Sequence, residues 1–429
     1  MSETFHPRGP GGPVSPPGLV EHYFRHEYGR LVAVLVRRVG LHHLEAVEDA
    51  VQGALMAALT AWMDSGIPHD PGAWLYRVAH NHLLGVLRKD QGHRDILPGV
   101  ADQRTESGEE PPLPAFAGEV RDELLRMLFV CCDEQIPQDS RLVLALKTLC
   151  GFSAGEIAFR LFTTDANVYK RLARARERLR QSDLDTQTPP LESLRSRLPS
   201  VHAVLYMLFN EGYLSTHAEH AIRADLCEEA IRLGTLLATH PVGAAPPTFA
   251  LLALMHLHAA RLAARQDATG GLLLLEEQDR GLWDAEHLQQ GATWLARAAH
   301  GDVFTRFHAE AGIAAEHCFA PSLADTRWNE IAELYLMLER IDPSPIHTLN
   351  RAVAVAQARG PQAGLAALDG MVPPAWLDGH YLWDAVLADL HHRAGNAATA
   401  ERHRDQALAA APSTAVRQLL QRRLTKPIR

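Results

Sequence analysis

Between residues 149 and 180 the chain reads LCGFSAGEIAFRLFTTDANVYKRLARARERLR, and its apolar positions predict two short helices joined by a turn. Ser153 and Glu156 fit a capping box ahead of Ile157, Ala158 and Leu161, so the first helix starts at Ser153. Phe162-Thr163 interrupts the stripe. Thr164 can then cap a second helix, in which Val168, Leu172, Ala175 and Leu179 recur at intervals of three and four as the buried side. The opposite side is basic: from Val168 to Arg180 there are six cations (Lys170, Arg171, Arg174, Arg176, Arg178, Arg180) against one anion, Glu177. A helix-turn-helix of this kind suits the DNA major groove, where the first turn reaches base edges and later arginines meet phosphates. The same pattern also occurs in structural hairpins with a solvated arginine face, so spacing and capping carry the reading rather than composition.

A second stretch, EAVEDAVQGALMAALTAW (45–62), places Val47, Val51, Leu55, Ala58 and Trp62 on one helical stripe. Glu45, Glu48, Asp49 and Gln52 fall on or beside the other face. After the turn SGIPHDP comes PGAWLYRVAHNHLLGVLRKDQGHR, an amphipathic helix with aromatic, amide and basic residues interleaved. Trp74 and Tyr76 offer stacking faces, and Arg77, Arg88 and Lys89 can meet phosphates, which suits single-stranded DNA. Taken singly, Trp74 also reads as a packing residue and Asn81 as a local cap or solvated amide.

In this order the three segments resemble the two domains of bacterial sigma-70-type RNA polymerase sigma factors, specifically the small extracytoplasmic function (ECF) group. EDAVQGALMAAL resembles the family's polymerase-clamp-binding region, PGAWLYRVAHNHLLGVLRK its promoter-melting and minus-ten region, and GFSAGEIAFRLFTTDANVYKRLARARERLR its minus-thirty-five reader. The resemblance covers about residues 19 to 182. It implies that Asp49 and Gln52 face the beta-prime clamp helices of core RNA polymerase, with the beta flap as a further partner. It also implies that Trp74, Tyr76, Arg77, Asn81 and Arg88 work at the melted minus-ten strand, and that Tyr169, Lys170, Arg171, Arg174 and Arg178 contact the minus-thirty-five element. His80 and His82 depart from the basic or polar residues more usual there.

Residues 91–118 contain QGH, PG and SGEEPPLP with few apolar positions, and read as a flexible, somewhat acidic linker. At about 3.3 Å per residue it reaches roughly 90 Å. Two DNA elements two turns apart are about 70 Å apart, so the linker can span them. The expected organisation is a disordered tail (1–18), a region 2 domain (19–90), this linker, a helix-turn-helix region 4 domain (119–182), a short linker (183–190) and a helical C-terminal domain (191–429).

Composition adds limits. The chain of 429 residues is 47% hydrophobic and 22% charged, with a net charge of −9, as in an ordinary soluble protein. Of its 42 cationic residues only four are lysines, and the arginine bias runs through every segment, so it reflects codon usage rather than a ligand. No apolar run approaches the length of a membrane span and the N-terminus does not read as a signal peptide, which points to a cytoplasmic protein with no membrane partner. Cys131, Cys132, Cys150, Cys227 and Cys318 lack zinc-site spacing and read as reduced structural thiols, and neither a metal nor another cofactor is expected.

The C-terminal portion reads as alanine- and leucine-rich helices. In YLWDAVLADLHHRAGNAATAERHRDQALAAAP, Leu387, Ala388, Gly395, Ala400, Ala407 and Pro412 have tetratricopeptide spacing, and HTLNRAVAVAQARGPQAGLAALDG echoes it. The fold class is therefore all-α: two small helical domains followed by a tetratricopeptide-like array. A subset of ECF factors carries such an extension, with segments like LFNEGYLS and LMHLHAARLAARQDATGGLLLLEEQDRGLWD, and this implies regulation through an intramolecular contact with the sigma domains. Enzymatic candidates here are Glu211, the pair His256 and His258, and the cluster Glu276, Glu277, Asp279 and Arg280. None forms a recognisable site, because His256 and His258 point in different directions on a helix and the acidic cluster reads as a charged helix face or a salt-bridge network. Two other functions stay open: a helix-turn-helix regulator that does not bind polymerase, and a helical enzyme with a DNA-binding end.

Overall fold

The computed structural model describes residues 16–91, 116–161, 163–181, 191–215, 222–267, 270–374 and 376–424. Among these the elements are helices, with one isolated antiparallel bridge between Gln266 and Leu272, in agreement with the all-α expectation. Most of the expected tail and of the 91–118 linker, and all of the 183–190 linker, lie outside the described residues. The chain divides into two compact units, Met1–Ala158 with Thr164–Val201, and Phe159–Thr163 with His202–Arg429.

In the first unit, helices α1 (Pro16–Val39), α2 (Leu44–Ser65) and α3 (Pro71–Gln91) pack on one another. The stripe expected on α2 is the buried one: Val47, Val51, Leu55, Ala58 and Trp62 are all buried, on a helix packed against both α1 and α3. Helix α2 stops at Gly66, whose φ of 81° only glycine adopts without strain. Asp70 then starts α3, its Oδ1 accepting the Ala73 amide at 2.8 Å. Helices α4 (Phe116–Cys131), α5 (Gln138–Thr148), α6 (Ala154–Arg160) and α7 (Asp165–Arg180) follow, with α4 against α1 and α7 against α5.

This unit also takes the first turns of α8 (Leu191–Tyr213). Arg197 lies 2.6 Å from Asp133, both nearly buried, and donates to the Phe129 carbonyl. These contacts hold the first turns of α8, which begins directly after the expected 183–190 linker, against the turn that follows α4.

The second unit centres on α10 (Pro246–Ala259), buried on nearly all sides by α9 (Ala224–Thr239), α11 (Ala285–Ala298) and α12 (Arg306–Phe319). A helix apolar all round belongs in a core. Beyond it lie α13 (Trp328–Ile341), α14 (Pro345–Arg359), α15 (Pro361–Ala366), α16 (Tyr381–Arg393), α17 (Ala397–Ala409) and α18 (Thr414–Leu424), closely packed on their chain neighbours from α13 to α15 and between α16 and α17; the α15 to α16 step is looser, and α18 rests lightly on both α16 and α17. The small residues expected between α16 and α17 do that work: Ala388, Ala400 and Ala407 are buried, and Gly395 turns the chain at a φ of 82°.

Candidate nucleic-acid interface

The helix-turn-helix is capped as its sequence requires. Ser153 Oγ accepts the Glu156 amide at 3.2 Å, and Glu156 Oε2 accepts the Ser153 amide at 2.7 Å. Thr164 Oγ1 accepts the Asn167 amide at 3.3 Å and opens α7. Val168, Leu172, Ala175 and Leu179 are its buried stripe. The opposite face therefore turns outward: Tyr169 is 62% exposed, and Lys170, Arg174 and Arg178 are exposed. Arg171 is only half-buried beside α5, where Asp139 Oδ2 lies 3.1 Å from its Nε and 3.0 Å from Arg174 Nη2.

The far end of α7 meets acids of α2. Arg176 reaches Glu45 at 3.1 Å and also pairs with Glu48, and Arg180 reaches Glu45 at 3.3 Å. Glu48 additionally accepts the Thr148 hydroxyl at 2.7 Å. Glu48 was expected on or beside the exposed face, but it is 3% exposed. Its place follows from its contacts with Thr148 of α5 and Arg176 of α7, which periodicity within α2 alone does not contain. Asp49, one position on, is exposed, while Gln52 is half-buried and hydrogen-bonded to Tyr28. Burial, reinforced by Glu48, pushes the Tyr28 phenol well above its ordinary pKa, so it stays neutral.

On α3, Arg77, Asn81 and Arg88 are exposed. Trp74 is half-buried, with its ring edge-on to Trp62 at 5.7 Å. Tyr76 departs from expectation: it is 4% exposed, stacked on His80 at 5.8 Å and covered by Arg38 at 5.6 Å, so its ring is core and offers no free face to a base. Its spacing from Ala73, Ala79 and Leu83, all buried, carried that signal. Burial and the Arg38 charge hold His80 below the usual imidazole pKa.

In the second unit, Glu211 is fully buried and accepts from Arg160 Nε and the Ser215 hydroxyl, each at 2.7 Å, with Arg223 at 3.5 Å. Its charge is satisfied by structure. His256 contacts His287 at 2.9 Å, while half-buried His258 lies with its ring 4.8 Å from that of Tyr213. The acids of 276–279 do not form a helix face: Glu277 caps the Leu274 amide and Asp279 the Gly281 amide, at the starts of two short turns. All five cysteines are buried, and burial raises Cys132 to about 12 and Cys318 to about 11. Among the described residues no group of three or more His, Cys, Asp or Glu side chains is placed to hold a metal, and no helix is long and apolar enough to cross a membrane.

Comparison with known proteins places these segments. Residues 24–93 match the family model for Sigma-70 region 2, residues 126–179 that for Sigma-70 region 4, and residues 197–299 a family of unknown function, DUF6596. An uncharacterized protein of Rhizobium meliloti is 34% identical over 376 residues, 86% of this chain and 87% of its own length. The RNA polymerase sigma factor YlaC of Bacillus subtilis is 26% identical over 38% of this chain and 91% of its own length. The RNA polymerase sigma factor NccH of Alcaligenes xylosoxydans xylosoxydans is 30% identical over 35% of this chain and 80% of its own. No solved structure matches.

Proposed function

Because the chain belongs to the sigma-70-type RNA polymerase sigma factors and carries a C-terminal helical extension, we propose that it binds core polymerase, reads minus-ten and minus-thirty-five promoter elements, and is modulated by its own extension. The observation that carries the reading is the pairing of an outward basic face on α7 with an exposed, partly basic face on α3, in a chain where both segments match sigma regions. Tyr169, Lys170, Arg171, Arg174 and Arg178 meet the upstream element. Trp74, Arg77, Asn81 and Arg88 meet the melted strand, and Asp49 meets the clamp helices of polymerase through opposite charge. Tyr76 supports the strand-facing residues from beneath. Such a factor performs no covalent chemistry, and its compartment is the cytoplasm, where polymerase and promoter are.

Modulation is supported by Arg160, the last residue of α6, which clusters with the second unit and is held there by buried Glu211. Run-off transcription with core polymerase and the DNA upstream of the protein's own gene tests the whole reading. A transcript that requires the protein supports it, whereas duplex binding without polymerase capture or an open complex would instead identify a conventional helix-turn-helix regulator. The role of the extension is read by comparing the full chain with residues 1–201, a cut that keeps Arg197 beside Asp133. Equal activity of two folded proteins at every promoter and salt concentration would remove the modulatory role.

A further inference from the structure

One cluster in the second unit is not used by promoter reading. It gathers Arg261 and Arg265, just beyond α10, Arg280 and Trp283 from the following turns, and His258 and His317 from α10 and α12. Arg261 lies 5.6 Å from the Trp283 ring centre and Arg280 lies 4.4 Å from it. Arg265 lies 3.6 Å from the Tyr213 ring, whose centre is 4.8 Å from that of His258.

Among the described residues each guanidinium has only neutral oxygen partners. Arg261 Nε donates to Gln278 Oε1 at 3.2 Å, Arg265 to the Tyr213 carbonyl, and Arg280 Nη1 to the carbonyls of His317 and Ala320 at 3.1 and 2.8 Å. Among the described residues no carboxylate forms an ion pair with any of the three. The acids nearest in sequence are directed elsewhere, with Asp267 on the Gly271 amide, Glu277 on the Leu274 amide and Asp279 on the Gly281 amide.

Several buried polar atoms have no hydrogen-bond partner: His258 Nδ1, His317 Nδ1, Arg280 Nη2 and Trp283 Nε1. An unpaired buried donor is costly, and concentrating them beside three unneutralised cations is costlier still. Burial and the neighbouring arginines hold His258 at about 3 and His317 at about 4, so both imidazoles are neutral near pH 7 and add no charge of their own. Burial likewise keeps the Cys318 thiol protonated. The missing counterpart is an anion with several acceptor oxygens.

We propose that Arg261, Arg280 and Trp283, with Arg265 and the two histidines behind them, form a binding site for a small oxyanion ligand, a carboxylate or phosphate group. A macromolecular phosphate backbone does not fit the burial, since Arg261 is 8% and Trp283 7% exposed. The ligand is therefore a small molecule, and its binding gives the extension an input independent of DNA. The site lies within the stretch matching the family of unknown function, and its test does not depend on the sigma reading.

The full-length protein is titrated with sodium phosphate and, separately, with disodium succinate, against sodium chloride at matched ionic strength, by calorimetry and by thermal unfolding. Saturable binding of phosphate, of succinate or of both supports the site and identifies the group it takes. The basic face of α7 could also hold anions, so Arg261→Gln and Arg280→Gln localise the signal. Each weakens binding about tenfold or more, as loss of a charge-assisted hydrogen bond does. In the absence of anion these variants unfold at the same temperature as the parent or higher, because one unneutralised charge has gone. A purely structural role for the arginines predicts the reverse: lower midpoints and an unchanged anion response. That result, or no saturable response by the parent protein to either anion, overturns the proposal. Displacement of all saturable anion binding by duplex DNA in the parent protein overturns it as well. Should a variant fail to fold, the parent titration and the DNA competition still decide.

Discussion

Glu48 is the residue through which α2, α5 and α7 are joined, and Glu48→Gln tests that joint. The carboxylate is 3% exposed, accepts the Thr148 hydroxyl at 2.7 Å and pairs with Arg176, whose side chain is 20% exposed. An exposed ion pair contributes about 0–1 kcal/mol, and breaking a buried one from one side costs about 3–5 kcal/mol. With one partner buried and the other partly wet, about 2 kcal/mol is expected for the neutral amide, which keeps the shape and one acceptor. That corresponds to roughly a thirtyfold larger opening constant for α7. Hydrogen exchange on the full-length protein reads it directly: amides of α7 that exchange through local opening should speed up by that factor, while those of α10 stay unchanged. A double-mutant cycle with Arg176→Gln should give a coupling of about 1–2 kcal/mol. Unchanged exchange in α7, or coupling indistinguishable from zero, would refute the reasoning. A separate contact, between α1 and the end of α5, is steric. A Cβ on Gly29 of α1 would overlap the Leu149 carbonyl oxygen and lie 3.0 Å from its carbon, so Gly29→Ala should loosen the end of α5 from α1.

Arg171→Ala should reduce discrimination between the intact and altered upstream element by about 1–3 kcal/mol in a competition assay, whereas Arg178→Ala should weaken binding to all duplexes alike. Loss of preference by the second variant and not the first would reverse the register of α7. Asp49→Arg should abolish polymerase capture in a pull-down without disturbing the fold, since the residue is exposed; normal affinity would remove Asp49 from the interface. His202 is 4% exposed, contacts Thr248 Oγ1 at 2.9 Å, and is lowered by burial to about 4. The unfolded chain therefore takes up the proton first as pH falls below about 6.5, and His202 should contribute a stability loss of roughly 3 kcal/mol between there and about pH 4. His202→Asn should flatten that slope in urea unfolding monitored across the window, and an unaltered slope would show that the loss arises elsewhere.

Much of the first unit was legible along the chain. The capping box at Ser153, the cap at Thr164, the four-residue core stripe of α7 and the five-residue stripe of α2 are local properties, set by backbone geometry and by which side chains leave water. The helical pairing of α16 with α17 was legible for the same reason, through Ala388, Ala400 and Ala407. The chemistry of Tyr76 suits stacking while its spacing from Ala73, Ala79 and Leu83 suits core, and its burial follows the spacing.

What the sequence determined by itself is the helices that carry its motifs, α2, α3, α6, α7 and the α16–α17 pair, and the family to which the first two segments belong, since each depends on neighbours within a few turns or on motif order. Only the tertiary structure decided which charges meet. Glu48 with Arg176, Arg197 with Asp133, Arg160 with Glu211, and the arginines around Trp283 left without an acid are encounters between residues far apart in the chain. Helical periodicity tells a charged residue which side of its own helix it occupies. Whether that side faces water, an opposite charge or another cation depends on the packing of a second helix, and only the fold supplies that.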